Sequence, residues 1–210
     1  MEPDTHSSDL HVLERLELAH FEEMEQLELA CYGEEYITPA AEVYAWYLAA
    51  PDTTVALADA AGRIAGFINL FPITERVHRG LLAGTFNDRD LTAADVSSAS
   101  PTPATGAPLH MFLSCIVVSE AHRGGGIVST RLLAEAVARY APIEHLVDDI
   151  VTDNVTSQGA RFSRRWGFEP VCVSDHGSQV FAQPYARFVQ RVREAQAGSS
   201  STLTSASGMR

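Results

Sequence analysis

Residues 113–133, LSCIVVSEAHRGGGIVSTRLL, set an arginine and three glycines between an apolar run and a stretch of helical periodicity. A strand that enters a helix through glycines leaves the first N–H groups of that helix unpaired and pointing into the turn. No Cβ crowds the approach, and the helix dipole adds partial positive charge, so the turn over Arg123, Gly124, Gly125 and Gly126 suits an anion such as a diphosphate. A P-loop needs a lysine and then Ser or Thr after its last glycine, whereas Ile127 and Val128 follow Gly126. A dinucleotide fingerprint needs G-x-G-x-x-G and an acidic residue about 20 positions on, and this run lacks that spacing. The alternative without chemistry is a flexible turn ahead of an amphipathic helix.

The elements around the turn follow from periodicity. Val117 and Val118 close an apolar run that reads as a buried strand, and Ser119, Glu120 and Ala121 break it. Ile127, Val128, Leu132, Leu133, Ala136, Val137 and Tyr140 then recur at helical spacing. Residues 146–168 read as strand, turn and helix with an abrupt Trp166-Gly167-Phe168 stop, Gly167 serving as a helix C-cap. Upstream, a first strand or the opening of a helix is expected over 11–18, helices over 19–31 and 39–50, and strands over 53–58 and 63–71 joined by a turn at Asp59–Gly62. From 72 to 108 the pattern dissolves into a short helix, an ordered loop and the low-complexity run SSASPTPATGAP; a loop of that length is often functional. Closing strands at 169–174 and 179–182 and a terminal helix at 184–196 complete the chain. Residues 1–9 and 197–210, small and polar, are expected to be disordered. One domain over 10–196, with an insertion at about 72–108, is the resulting layout.

A chain of 210 residues with 46% hydrophobic content carries a sizeable core in one domain. Its net charge of −12 argues against nucleic acid and anionic membrane as partners and is compatible with a cationic amine. Cys31, Cys115 and Cys172 are scattered without a C-x-x-C pair, which points to a reducing compartment. The acidic, polar start MEPDTHSSD gives no sign of a signal peptide, and the apolar runs are far shorter than a membrane span. A cytoplasmic enzyme without a metal is the economical expectation.

Arg123-Gly124-Gly125-Gly126-Ile127-Val128 after a strand closed by Val118, followed by Asn154 and Gly167-Phe168 in order, resembles the signature of the GNAT superfamily of acyl-CoA-dependent N-acyltransferases. The resemblance covers roughly residues 11–183 and implies an α/β (α+β) fold: a mixed, mostly antiparallel sheet with helices on both faces and a splayed central strand pair. It implies acetyl-CoA as acyl donor and a primary amine of a small molecule, an antibiotic-like metabolite or a peptide as acceptor. A homodimer is compatible with it. A non-catalytic acyl-CoA-binding, sensing or partner-binding module on the same scaffold is the alternative.

By the same resemblance, coenzyme A is contacted by main chain at Ile116 and Val118, by Arg123 to Gly126, by Val128 and Ser129, and by Asn154. Val128 stands where a small residue is usual, and a larger side chain there threatens to crowd the diphosphate. Asn154 serves equally well as a helix N-cap, and Arg123 as a solvated loop residue. Many relatives carry a glutamate where this chain has Leu113, so the remaining base candidate is His110, whose pKa suits the role, against a plain edge histidine. Ser163 occupies the place of a tyrosine that protonates the leaving thiolate; it donates a hydrogen bond or is a helix-surface residue. Glu34, Glu35 and Tyr36, between the first two helices, are candidates to hold a cationic amine, against a solvated acidic turn. Phe71, Phe86 and Asp88 are further candidates at the insertion.

Overall fold

In the computed structural model, the structure describes residues 10–98, 108–124 and 126–207. The N-terminal nine residues and the low-complexity stretch 99–107 therefore lie outside the described residues. Seven strands form one sheet in the order β1-β2-β3-β4-β5-β7-β6. They are β1 (His11–Val12), β2 (Thr54–Ala58), β3 (Ile64–Ile73), β4 (Leu109–Val118), β5 (Val147–Asn154), β6 (Glu169–Val173) and β7 (Gln179–Pro184). All neighbours run antiparallel except β4 and β5, which are parallel. This is the mixed, mostly antiparallel α/β architecture expected of the chain.

Helices cover both faces. Helices α1 (Leu18–Leu29), α2 (Ala40–Ala49), α3 (Glu75–Ala83) and α4 (Ala93–Ser98) lie on one side. Helices α5 (Ile127–Tyr140), α6 (Ser157–Arg165) and α7 (Tyr185–Ser207) lie on the other. Strand β3 is buried along its whole length and feeds both cores by alternation. Ala65, Ile68 and Leu70 pack beneath α5, while Ile64, Phe67 and Phe71 pack beneath α1 and α2.

Three expectations need correcting. The first strand is two residues long, because the Glu17 N–H donates to His20 Nδ1 (2.9 Å) and this local cap starts α1 at Leu18. The segment after residue 71 carries two helices where one short helix is expected, and the strand before it is longer: β3 continues to Ile73, and Thr74 Oγ1 accepts the Val77 N–H to cap α3. Pro72 fits in β3 because β2 ends opposite Asn69, so no ladder bond on that side needs its missing N–H. Finally, α7 runs on to Ser207, well past the expected end at 196, because no proline follows to stop it.

The parallel pair β4–β5 decides where a site forms. It is bonded only from Leu109–Val147 to Phe112–Val151. Beyond that, β4 carries on for six residues paired with β3 alone, and a bulge at Ser114 interrupts that ladder. The two central strands therefore splay apart.

Candidate acyl-donor cleft

The splay opens a cleft of about 320 Å³, walled by Leu113–Val118 of β4 and Thr152–Asn154 of β5. Its first property is main-chain polarity. The Ser119 N–H donates to the Ala65 carbonyl on the β3 side (3.0 Å). Strand alternation turns the N–H groups of Val118 and Ile116 to the opposite side, into the gap. Both residues line it.

At the mouth of the cleft, the glycine turn has the conformation that glycine permits. Gly124 and Gly126 have φ of 120° and 75°, and α5 begins at Gly126 with no side-chain cap. The N–H groups of Ile127, Val128 and Ser129 have no acceptor among the described residues. Gly125 lies outside them. Ser129 lines the cleft and its Oγ donates to the Gly126 carbonyl at 3.0 Å.

Val128 does not crowd this turn. Its side chain is buried in the core below α5, and a Cβ on Gly66 would come within 3.1 Å of its Cγ1. Gly66 thus makes the room that lets α5 sit close to the sheet. Val128 contributes an amide, and its isopropyl group contributes packing.

Two arginines flank the turn. Arg123 lines the cleft, donating from Nε to the Val118 carbonyl (3.0 Å) and from a terminal nitrogen to Cys31 Sγ (3.0 Å). Arg165, at the end of α6, brings its guanidinium within 3.6 Å of the point where a Cβ on Gly126 would stand. Sequence reasoning passed over Arg165, because only the packing of α6 brings it to the turn.

The second property of the cleft is a set of carboxylates, Glu28, Asp88 and Asp153, along its lining. Glu28, in the last turn of α1, accepts a hydrogen bond from the Cys115 thiol at 3.0 Å. Burial pushes its carboxyl up to about 7, and Asp88 and Glu25 push the same way against the thiol's hydrogen bond. Burial likewise drives the Cys115 thiol and the neighbouring Tyr32 phenol well above their ordinary values, so both stay protonated. Across the cleft, burial and the charge of Asp153 push Asp88 up to about 6. Asp153 itself is held by His176 Nε2 at 3.0 Å.

Glu28 is the functional residue that sequence reasoning missed. The signal was present: it lies seven positions after Phe21 and four after Met24, on the stripe that α1 buries. An acid on an apolar stripe is a side chain with a reason to be there.

The other candidates divide. Asn154 and Tyr36 line the cleft, as does Asp88. Asn154 is not the cap of α6; Thr156 is, its Oγ1 accepting the Gly159 N–H at 3.0 Å. Ser163 is fully buried, does not line the cleft, and exchanges hydrogen bonds with the Asn154 amide (3.0 and 3.2 Å). It braces a cleft residue from outside the lining. Glu34 and Glu35 are exposed on a short 3-10 turn, outside the cleft. Phe71 and Phe86 are core residues.

His110 is neither an edge histidine nor a cleft base. It is buried at the closed end of the β4–β5 pair, stacked on His78 with ring centroids 3.6 Å apart. Asp149 Oδ1 lies 2.7 Å from its Nδ1 and raises its pKa. The strand it begins is the same, but the splay starts only after Phe112.

A splayed parallel strand pair, inward-facing amides and an uncapped glycine turn together make a cleft suited to an extended, anionic ligand. The acetyltransferase (GNAT) family matches residues 21–168, and the chain belongs to that family. Solved structures agree on the fold. The loading GNATL domain of CurA from Lyngbya majuscula superposes with a TM-score of 0.57 at 14% identity, over 84% of this chain and 98% of that one. A chain of the NatC complex bound to Gag peptide and CoA gives 0.55 at 14% identity, over 84% and 98%. The Drosophila melanogaster polyamine N-acetyltransferase gives 0.52 at 16% identity, over 84% and 100%. No curated protein sequence matches this chain significantly.

Proposed function

We propose that the chain is an N-acetyltransferase that moves an acetyl group from acetyl-CoA to a primary amine of a cationic small molecule. The observation that carries this reading is Glu28: a carboxyl raised to about 7, in the cleft, with no cation beside it. A general base works best when its pKa lies near the working pH. An alkyl amine, with a pKa near 10, arrives protonated and must lose a proton before it attacks.

The residues present fit the donor. Amides of Ile127 to Ser129, with Arg123 and Arg165 beside them, hold the diphosphate. The N–H of Val118 or Ile116 binds the thioester carbonyl and strengthens its hold as that oxygen gains charge. Ionised Glu28 takes the ammonium proton; the amine nitrogen bonds to the acyl carbon, the C–S bond breaks with the electron pair going to sulfur, and the nitrogen's remaining extra proton passes to that thiolate, leaving a neutral amide and a free thiol. A thiol is far more acidic than an alcohol or an amine, so its thiolate leaves without a strong acid, and this reading assigns no acid role to Ser163. Asp88 and Asp153 supply negative charge for a second cationic group of the acceptor.

Supporting readings are a single acyltransferase domain over about 10–196 and a place in the cytoplasm. Among the described residues no helix is long and apolar enough to cross a membrane. The test is thiol release from acetyl-CoA with a panel of monoamines, diamines and amino-terminal peptides. Turnover fastest with diamines is the expected result. Acetyl-CoA binding without turnover on any amine would instead support the sensing module, and no acetyl-CoA binding would remove both.

A further inference from the structure

We propose that Glu75, His78 and His110, oriented by Asp149, form a binding site for a divalent transition-metal cation, with Zn²⁺ the best match. This site lies at the closed end of the β4–β5 pair and is separate from the acyl-donor cleft.

The fold brings the ligands from two elements and their orienting carboxylate from a third. Glu75 and His78 are three residues apart in the first turn of α3, on one helix face. His110 and Asp149 are register partners on β4 and β5. Each of Glu75, His78 and His110 offers a ligand atom, and these atoms lie within 4.8 Å of one another.

Asp149 sets the tautomers. Its Oδ2 lies 2.9 Å from His78 Nε2 and its Oδ1 2.7 Å from His110 Nδ1. An ionised carboxylate only accepts, so both of those nitrogens carry hydrogen. Each neutral ring is then left with its lone pair on the other nitrogen. One carboxylate that receives an N–H from both imidazoles is the outer-shell arrangement that orients metal-bound histidines.

The opposite side of the cluster shows what it lacks. His110 Nε2, the lone-pair nitrogen, lies 3.2 Å from Glu75 Oε2. Two acceptors at that distance repel unless a proton or a cation stands between them. Neighbouring ligands about 2.1 Å from a tetrahedral ion sit about 3.4 Å apart, close to the separation seen here. Glu75 Oε1 is taken by Arg79 at 3.1 Å, which leaves Oε2 facing the histidines. Two imidazole nitrogens and one carboxylate oxygen are a donor set suited to Zn²⁺, with a fourth position for water.

The rings now stack 6° from parallel. In-plane lone pairs converge on one ion only when a ring tilts out of the stack, so binding carries a ring movement. By tying α3 to both strands just ahead of the splay, the ion would stiffen the hinge from which the cleft opens.

Calorimetric titration of the metal-free protein with Zn²⁺, and of the same protein with Co²⁺ followed by visible absorption, tests this. The expected result is one ion per chain and a tetrahedral Co²⁺ spectrum without thiolate charge-transfer bands. Glu75→Gln weakens binding at least ten-fold, and Asp149→Asn weakens it by 10- to 100-fold. Glu75 is exposed, so its variant folds even where a substitution at buried His110 does not. Absence of a stoichiometric site, affinity unchanged in Glu75→Gln, or Co²⁺ bands from cysteine would each overturn the proposal; in the first case a proton alone fills the gap.

Discussion

The two ends of the β4–β5 pair hold titratable groups of similar kinds and treat them in opposite ways. At the closed end, Asp149 is half-buried, which pushes its carboxyl up, yet hydrogen bonds from His110 and His78 hold it down to about 2. At the open end, burial outweighs the Cys115 thiol that donates to Glu28 and the His176 and Arg89 charges near Asp88, and these carboxyls rise to about 7 and 6. The balance of partners against burial decides the sign. The closed end satisfies its charges internally and holds the strands together. The open end leaves charge and main-chain amides unsatisfied, which makes it the place where a ligand gains most by binding.

The largest expected effect comes from removing the open-end base. Glu28→Gln should lower kcat/KM by about 10²- to 10⁴-fold while leaving acetyl-CoA affinity unchanged, measured by thiol release and calorimetry. In the native enzyme the rate should climb as pH rises through about 7, because the base must be ionised. Stability should move oppositely. A carboxyl whose folded pKa is raised stabilises the fold at low pH and loses that contribution as pH rises from its unfolded value towards 7. Thus Glu28→Gln should melt several degrees higher than the native protein at pH 8 and little differently at pH 4. A variant that loses activity without that gain would break the contrast between the two ends.

Next is the turn. Gly126→Val forces a β-branched residue to φ 75°, a strain of about 1–3 kcal/mol. Acetyl-CoA should bind about ten-fold more weakly or worse by calorimetry, because the amides that face the diphosphate are displaced. Asp88→Asn should follow, raising KM for a diamine by about five- to ten-fold and changing that for a monoamine little. The smallest effect belongs to Ser163→Ala. It should cost about 1 kcal/mol of stability through the lost hydrogen bonds to Asn154 and leave kcat within about two-fold. A large loss of kcat there would restore Ser163 to the chemistry.

Much of this was legible in the sequence where a local rule governs. The α5 stripe from Val128 to Tyr140 and the strand before it follow from periodicity, and the glycine turn from their junction. What escaped depends on partners far apart in the chain. Asp149 meets His110 across 39 positions and His78 across 71, so no local pattern marks the closed-end cluster. The splay is expected from the family resemblance alone, because where pairing stops is not announced by the residues of β4 themselves. Val128 looked too large because the compensating glycine is Gly66, on a strand 62 positions earlier. Glu28 is the instructive case: its place on a buried stripe was readable, and its chemistry followed only from the cleft above it.

The most direct measurement is an amide NMR titration of the native protein with acetyl-CoA. The account predicts saturable shifts at Ile116, Val118 and Ile127 to Ser129, with the amides of His110 and Asp149 unmoved. Shifts that do not saturate, or that centre on the closed end of the strand pair, would contradict it.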